Sequence, residues 1–259
     1  MKKILVTNDD GFDSNGLKAL VEALKPLGEV TVVAPTTEKS ACGHSLTLTR
    51  PLRLIELDDN FFKLDDGTPT DCVYLALYAL FKEESKPDLV VSGINRGSNM
   101  GEDITYSGTA SAAMEAVLQG IPAVAFSQVY ENSPASLDNF DYSLAKKVVY
   151  EICNKILQKG MPLDKREFIN VNIPFQKEFK GYKITKLGHK MYSNNAHLHR
   201  NPRGEEYYWI GTHILDYIPL GDKSCDLSAI DEGFVSVTPV KLDLTANEKL
   251  KNLETWIDG

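Results

Sequence analysis

The sequence predicts an α/β fold: a three-layer core around a mainly parallel sheet, followed by a β-rich C-terminal extension with an arm and a terminal helix. Three observations carry this. Residues 4–6, 30–34, 89–94 and 121–126 are apolar runs without alternation, the mark of strands buried on both faces. The segments between several of them repeat apolar residues at helical spacing. Beyond about residue 175 the pattern changes to short aromatic strands with a polar tip.

Taken in order, the first strand at 4–6 is followed by Asp13, Ser14 or Asn15 as helix cap. Leu17, Leu20, Val21 and Leu24 then form one apolar face, which Pro26 and Gly28 close. A second strand over 30–34, stopped by Pro35, completes a right-handed β-α-β unit. Residues 36–47 are polar, rich in Ser, Thr and Gly, and too many for a plain connector. Segments 48–57 and 61–64 are short strands suited to a hairpin or flap. A second helix begins at Thr70 or Asp71 and stacks Val73, Leu77, Leu80 and Phe81. The third strand, 89–94, ends at Asn95, and a glycine-bearing loop leads to a helix over 109–119 with Ala110, Ala113, Met114, Val117 and Leu118 inward. A fourth strand follows at 121–126, then a longer helix near 138–158 carrying Leu144, Val148, Ile152 and Ile156.

Strands are expected at 168–173, 182–187, 207–210 and 233–239, and a closing helix at 245–257. The stretch 189–204, with His189, His197, His199, Arg200 and Arg203, reads as the basic, polar tip of an arm for subunit contact. The expected division is a core over 1–175 and an extension over 176–259 that can pack back on it.

Composition narrows the function. The chain has 259 residues, a formal net charge of -8, 25% charged and 42% hydrophobic residues, as a soluble globular protein does. An acidic balance argues against a duplex nucleic-acid partner but leaves small anionic ligands open. No run is long enough for a membrane span, and the N-terminus does not resemble a signal peptide, so a cytoplasmic protein is expected. Cys42, Cys72, Cys153 and Cys225 are widely spaced and read as free thiols. Neither a Gly-x-x-x-x-Gly-Lys loop nor a Gly-x-Gly-x-x-Gly after the first strand is present, which disfavours a dinucleotide oxidoreductase.

The chemistry concentrates where the first strand stops. Asn8, Asp9, Asp10 and Gly11 follow it directly, and two adjacent carboxylates repel unless a cation or proton intervenes. The plainer alternative is a helix-capping turn. If the sheet is parallel, Ser40 after strand two and Asn95 after strand three reach the same crevice. That all-oxygen set suits one Mg²⁺ or Mn²⁺ ion. Ser107-Gly108-Thr109, at the start of an Ala-rich helix, offers hydroxyls and N–H groups to an anion. Residues 67–71, Gly-Thr-Pro-Thr-Asp, read equally well as crevice lining or as a turn with a cap. His44 beside Ser45 makes a poor nucleophile elbow, and His197 with His199 on a polar tip reads as solvated.

In series, residues 4–11, Val-Val-Ala-Pro at 32–35 with Ser40 and Gly43-His44-Ser45, 67–72, 92–97, 99–101, 106–109 and 233–239 closely resemble the survival protein SurE family of 5′-nucleotidases. The resemblance implies a Rossmann-like core, a C-terminal extension, and a homodimer or homotetramer formed partly through an exchanged arm. It implies a divalent-metal-dependent phosphatase of nucleoside 5′-monophosphates, with 3′-monophosphates and short polyphosphate as further substrates. Carried over, the metal ligands are Asp9, Asp10, Ser40 and Asn95, with one ion per subunit. The phosphate contacts are Asn8, Asn95, Ser107, Gly108 and Thr109, and Asp9, Asp10 and Asn8 form the catalytic set. The expected step is in-line attack of a metal-bound water, with His44 among the candidate proton donors. Two alternatives stay open: direct attack by Asp9 or Asp10, and a nucleotide-sensing module without turnover.

Overall fold

In the computed structural model, which describes residues 1–130, 140–192, 196–210, 217–220 and 223–259, one nine-stranded sheet organises the chain. Its first half is β1 (Lys3–Thr7), β2 (Glu29–Pro35), β3 (Arg53–Asp58), β4 (Phe61–Asp65) and β5 (Leu89–Arg96). Its second half is β6 (Ala123–Gln128), β7 (Glu167–Ile173), β8 (Tyr182–Ile184) and β13 (Val235–Lys241). The order across the sheet is β3-β4-β2-β1-β5-β6-β7-β13-β8. Pairing is parallel except where β3 meets β4 and β13 meets β7, so the expected, mainly parallel sheet is present.

Successive strand residues face opposite ways, and this builds two cores. Ile4 and Val6 pack with Val32, Val91 and Phe126 under α1 (Asn15–Leu24) and α4 (Ser143–Lys159), the latter numbered after the two helices of the other face. Leu5, Val33 and Val90 face the other way, under α2 (Pro69–Leu75) and α3 (Gly108–Leu118). Residues apolar on both sides of the backbone are therefore required, which is why these strands lack alternation. Helix, sheet, helix is the predicted three-layer arrangement.

Boundaries differ from expectation where local chemistry overrides the apolar pattern. The second helix starts at Pro69, because Thr68 and Asp71 form a reciprocal capping box; the tract 67–71 is thus a turn with a cap. Its stripe runs on through a π-type turn over Ala76–Leu80. The fourth strand begins at Ala123, after Pro122, rather than at Ile121. The helix expected near 138–158 is Ser143–Lys159, and residues 138 and 139 lie outside the described residues.

Beyond β8, β9 (His189–Tyr192) pairs with β12 (Tyr217–Leu220), and β10 (Ala196–Arg200) pairs with β11 (Glu206–Ile210). Part of the stretch expected as a polar tip is therefore strand. His197 and His199 do share a face, and the His199 ring stacks on Tyr207 with centroids 5.7 Å apart. After the short helix α5 (Asp226–Asp231), β13 re-enters the main sheet between β7 and β8. The chain closes with α6 (Leu250–Asp258), preceded by a 3-10 turn over Asn247–Lys249.

Candidate active site

Strands β1 and β5 are neighbours, yet the chain leaves them toward opposite faces, to α1 after β1 and to α3 after β5. A crevice opens beyond their carboxyl ends at such a switch point. Asp9 and Asp10 stand there, immediately after β1, and Asn95 lies near the end of β5. Just before Asn95 the β5–β6 register breaks between Ser92 and Asn95. Gly93 has φ +132°, and a Cβ there would come within 2.3 Å of the Phe126 carbonyl oxygen, so only glycine fits.

Asp9 is buried against the N-terminus of α3. Its Oδ2 accepts the Thr109 backbone N–H at 3.1 Å, and its Oδ1 accepts a short hydrogen bond from the Thr109 hydroxyl. A Cβ on Gly108 would lie 2.7 Å from the Asp9 Cβ and 3.1 Å from the Cys42 sulfur. This close approach of helix and carboxylate explains the glycine in the Ser-Gly-Thr turn. Asp10 accepts the Arg96 backbone N–H at 3.3 Å.

Both carboxyls are pushed toward the protonated form. Burial raises Asp9 above the usual carboxylate range against the pull of its Thr109 bonds. Asp10 is raised to about 7, by burial first and by the Asp9 charge second. The Cys42 thiol is raised too, by burial and then by Asp9, so it is a poor nucleophile.

The other expected site residues fall around this pair. Asn8 is fully buried; its Nδ2 donates to the Gly11 carbonyl at 2.9 Å and the Ser14 hydroxyl at 2.8 Å, tightening the turn. Its Oδ1 is buried without a hydrogen-bond partner among the described residues. What Asn8 has left to offer is thus an acceptor, which suits a cation better than a phosphate oxygen. Asn95 likewise donates Nδ2, to the Gly97 carbonyl at 3.0 Å. Ser40 is exposed and donates its hydroxyl to Glu38 Oε1 at 2.5 Å, while Lys39 N–H binds the Asp9 carbonyl at 2.7 Å and keeps that segment beside the pair. The Ser107 hydroxyl caps α3 by accepting from the Ala110 N–H at 3.0 Å. Thr109 is thus joined to Asp9 rather than left as an open anion donor.

Three features suit a hard divalent cation: adjacent carboxylates, one buried and one half-buried, whose ionisation is suppressed, an orphaned acceptor at Asn8, and a donor set made only of oxygen. Among the described residues no three His, Cys, Asp or Glu side chains cluster as a metal cage, so a cation held here would take its fixed charge from the aspartates and draw on neutral oxygens for the rest. Sequence reading missed Glu38, whose charge raises both aspartates and whose carboxylate holds Ser40. An acidic residue two positions before a candidate ligand was the available signal. His44 is engaged with another carboxylate, its Nε2 lying 2.8 Å from Glu115 Oε2 on α3.

The family model described as Survival protein SurE matches residues 4–194. The chain belongs to this family. SurE relatives match along essentially the full length. One from Sulfurovum sp. (strain NBC37-1), named 5′-nucleotidase SurE, is 60% identical and aligns over 99% of this chain and 98% of its own. Another of that name, from Aliarcobacter butzleri (strain RM4018), is 58% identical with both chains covered completely. The crystal structure of the SurE protein from Aquifex aeolicus superposes with a TM-score of 0.83 at 41% identity, over 99% of this chain and 100% of that one. In this chain the Asn-Asp-Asp-Gly and Ser-Gly-Thr segments, 100 residues apart in sequence, meet at the Asp9–Thr109 contact.

Proposed function

We infer that this chain is a 5′-nucleotidase that hydrolyses nucleoside 5′-monophosphates and depends on one divalent ion per subunit, Mg²⁺ or Mn²⁺. The observation that carries the reading is the adjacent Asp9 and Asp10 beyond the ends of β1 and β5, with Asp9 buried against the N-terminus of α3 and Asp10 half-buried beside it. The names borne by the relatives supply the substrate class. Asp9, Asp10, Ser40 and Asn95 would hold the ion. When bound there, it supplies Lewis acidity toward a phosphate oxygen and lowers the pKa of a coordinated water.

The chain's own residues do the rest. The Thr109 N–H and hydroxyl fix the Asp9 carboxylate, so its orientation does not change when charge develops nearby. Asn8 closes the Gly11 turn and keeps one acceptor, its buried Oδ1, without a hydrogen-bond partner among the described residues. Ser107, Gly108, Thr109 and Asn95 border the place for the phosphate, where the positive end of α3 favours an anion. The same terminal group is presented by 3′-monophosphates and short polyphosphate, and the proposal extends to them. The active form is a homodimer or homotetramer. A cytoplasmic location accords with four unpaired cysteines; no described helix is long and apolar enough to cross a membrane.

Phosphate release from AMP and GMP tests the reading. Release with Mn²⁺ that stops in EDTA is expected, and nucleotide binding without release in either condition would replace the enzyme by a sensing module. Hydrolysis of a substrate with a chiral, isotopically labelled phosphate should invert configuration at phosphorus, as one in-line displacement by water does; retention, the mark of two successive displacements, would move the attack onto Asp9 or Asp10.

A further inference from the structure

Residues 36–52 contain no helix or strand, yet they are tied down along their length. The inner ties are backbone bonds: Lys39 N–H to the Asp9 carbonyl at 2.7 Å and Gly43 N–H to the Tyr106 carbonyl at 3.0 Å. The outer ties run to two carboxylates on helices. Thr47 gives its N–H to Asp71 Oδ1 at 2.8 Å and its hydroxyl to Asp71 Oδ2 at 2.6 Å. His44 Nε2 meets Glu115 Oε2 at 2.8 Å, and the Thr68 hydroxyl donates to the Ser45 carbonyl at 2.8 Å.

Asp71 and Glu115 are 2% and 3% exposed. Burying a carboxylate is costly unless donors surround it. Asp71 Oδ2 also serves the Thr68 cap, but Oδ1 takes only the strap, and Glu115 has Gln119 and His44 as its donors. Lifting the strap would strip donors from two interior charges together. The arrangement therefore resists any movement of residues 43–47, and through the short Lys39–Gly43 span it resists movement of Ser40.

We propose that Asp71 and Glu115 are positioning residues: by seating the strap on α2 and α3 they set where Ser40 stands beside Asp9 and Asp10. The proposal rests on the reading of Ser40 as a metal ligand. Neither carboxylate belongs to the proposed metal or phosphate set. Their effect is carried by His44 and Thr47, which lie outside the metal set.

The test is made from the strap side, because Asp71 also caps α2. Mn²⁺ affinity of the full-length, metal-free protein is measured by electron paramagnetic resonance for wild type, H44A/T47V, S40A and the triple variant, with melting curves alongside. In the Ser40 background, H44A/T47V is expected to raise the dissociation constant about tenfold. In the S40A background the same pair should change it less than twofold, since the strap then has no ligand to place. T47S keeps both donors and should restore half of the loss when it replaces T47V. If H44A/T47V does not fold, T47V alone should show a loss of about threefold that vanishes with S40A. Losses that add in full, or a lower melting temperature at unchanged affinity, would overturn the proposal. Wild-type protein that binds no Mn²⁺, or S40A that binds as wild type does, would overturn the underlying metal reading instead.

Discussion

Asp10 holds its proton to about pH 7 in the folded, metal-free protein, whereas an unfolded chain releases it near 3.8. Between these values the unfolded state has shed a proton that the folded state keeps. Raising pH through that window therefore destabilises the fold, and the penalty is complete above about 7. Asp10→Asn removes it: at pH 8 without metal the melting temperature should rise, by about 2–4 °C for each kcal/mol relieved. The gain should disappear at pH 4, and a variant that melts lower at both would show that the carboxylate is structural. A proton and a cation also compete for this group, so Mn²⁺ affinity should climb with pH and level off above about 7. Thr109→Val acts on the partner: it takes a donor from buried Asp9 and should cost about 1–3 kcal/mol of stability. Calorimetry checks the cost, and phosphate release checks the expected fall in turnover. The adjacency of Asp9 and Asp10 announced the first effect in the sequence. The Asp9–Thr109 bond did not announce itself, because a threonine after Ser-Gly reads equally as a cap or an anion donor.

Two elements that support the site each have a position where a Cβ finds no room. On α3 that position is Gly108. Gly108→Ala would drive its methyl onto Asp9 and Cys42, and with the helix otherwise intact kcat/KM should drop at least tenfold with little change in circular dichroism. On β5 it is Gly93, where a Cβ meets backbone and φ is strained for any other residue. Gly93→Ala should cost about 1–3 kcal/mol from the backbone conformation alone. The melting temperature measures that cost, and an unshifted value would contradict the close approach to Phe126. The apolar runs marked all four central parallel strands to within about two residues, because burial on both faces leaves a strong signal. The polar tract 36–52 left a weaker one. Its length and its Ser40 were visible, but its path depends on Asp71 and Glu115, which are 24 and 71 residues from the groups they bind. No local pattern encodes that. Helix starts were misplaced for a related reason: at Thr68 the capping box, rather than the apolar stripe, sets the first turn.

At the scale of the whole molecule, the last third of the chain does two different things. Strand β13 pairs with β7 along six residue pairs and completes the core sheet, so the motif at 233–239 serves the fold rather than the arm. The β10–β11 hairpin, by contrast, leaves Tyr208 62% and Trp209 58% exposed, with Leu198 and Ile210 beside them. Large side chains exposed together on a two-stranded ribbon are poorly accounted for by a lone subunit, since such hairpins are marginal in water and contiguous apolar surface favours association. A second copy of the chain is the partner proposed here, as an exchanged arm requires. The aromatic run at 207–210 was legible in the sequence, but the strands at 189–192 and 196–200 were hidden by their basic and polar residues. Replacing Trp209 with Glu places a charge in that surface without disturbing the main sheet, to which β11 does not belong. Sedimentation should then show the dimer or tetramer reduced to a smaller species, while the Mn²⁺ affinity per chain stays within about twofold because the proposed ligands, Asp9, Asp10, Ser40 and Asn95, all belong to one chain. An unchanged sedimentation coefficient would remove the arm from the assembly. Loss of Mn²⁺ binding together with dissociation would mean that a neighbouring subunit helps to shape the crevice.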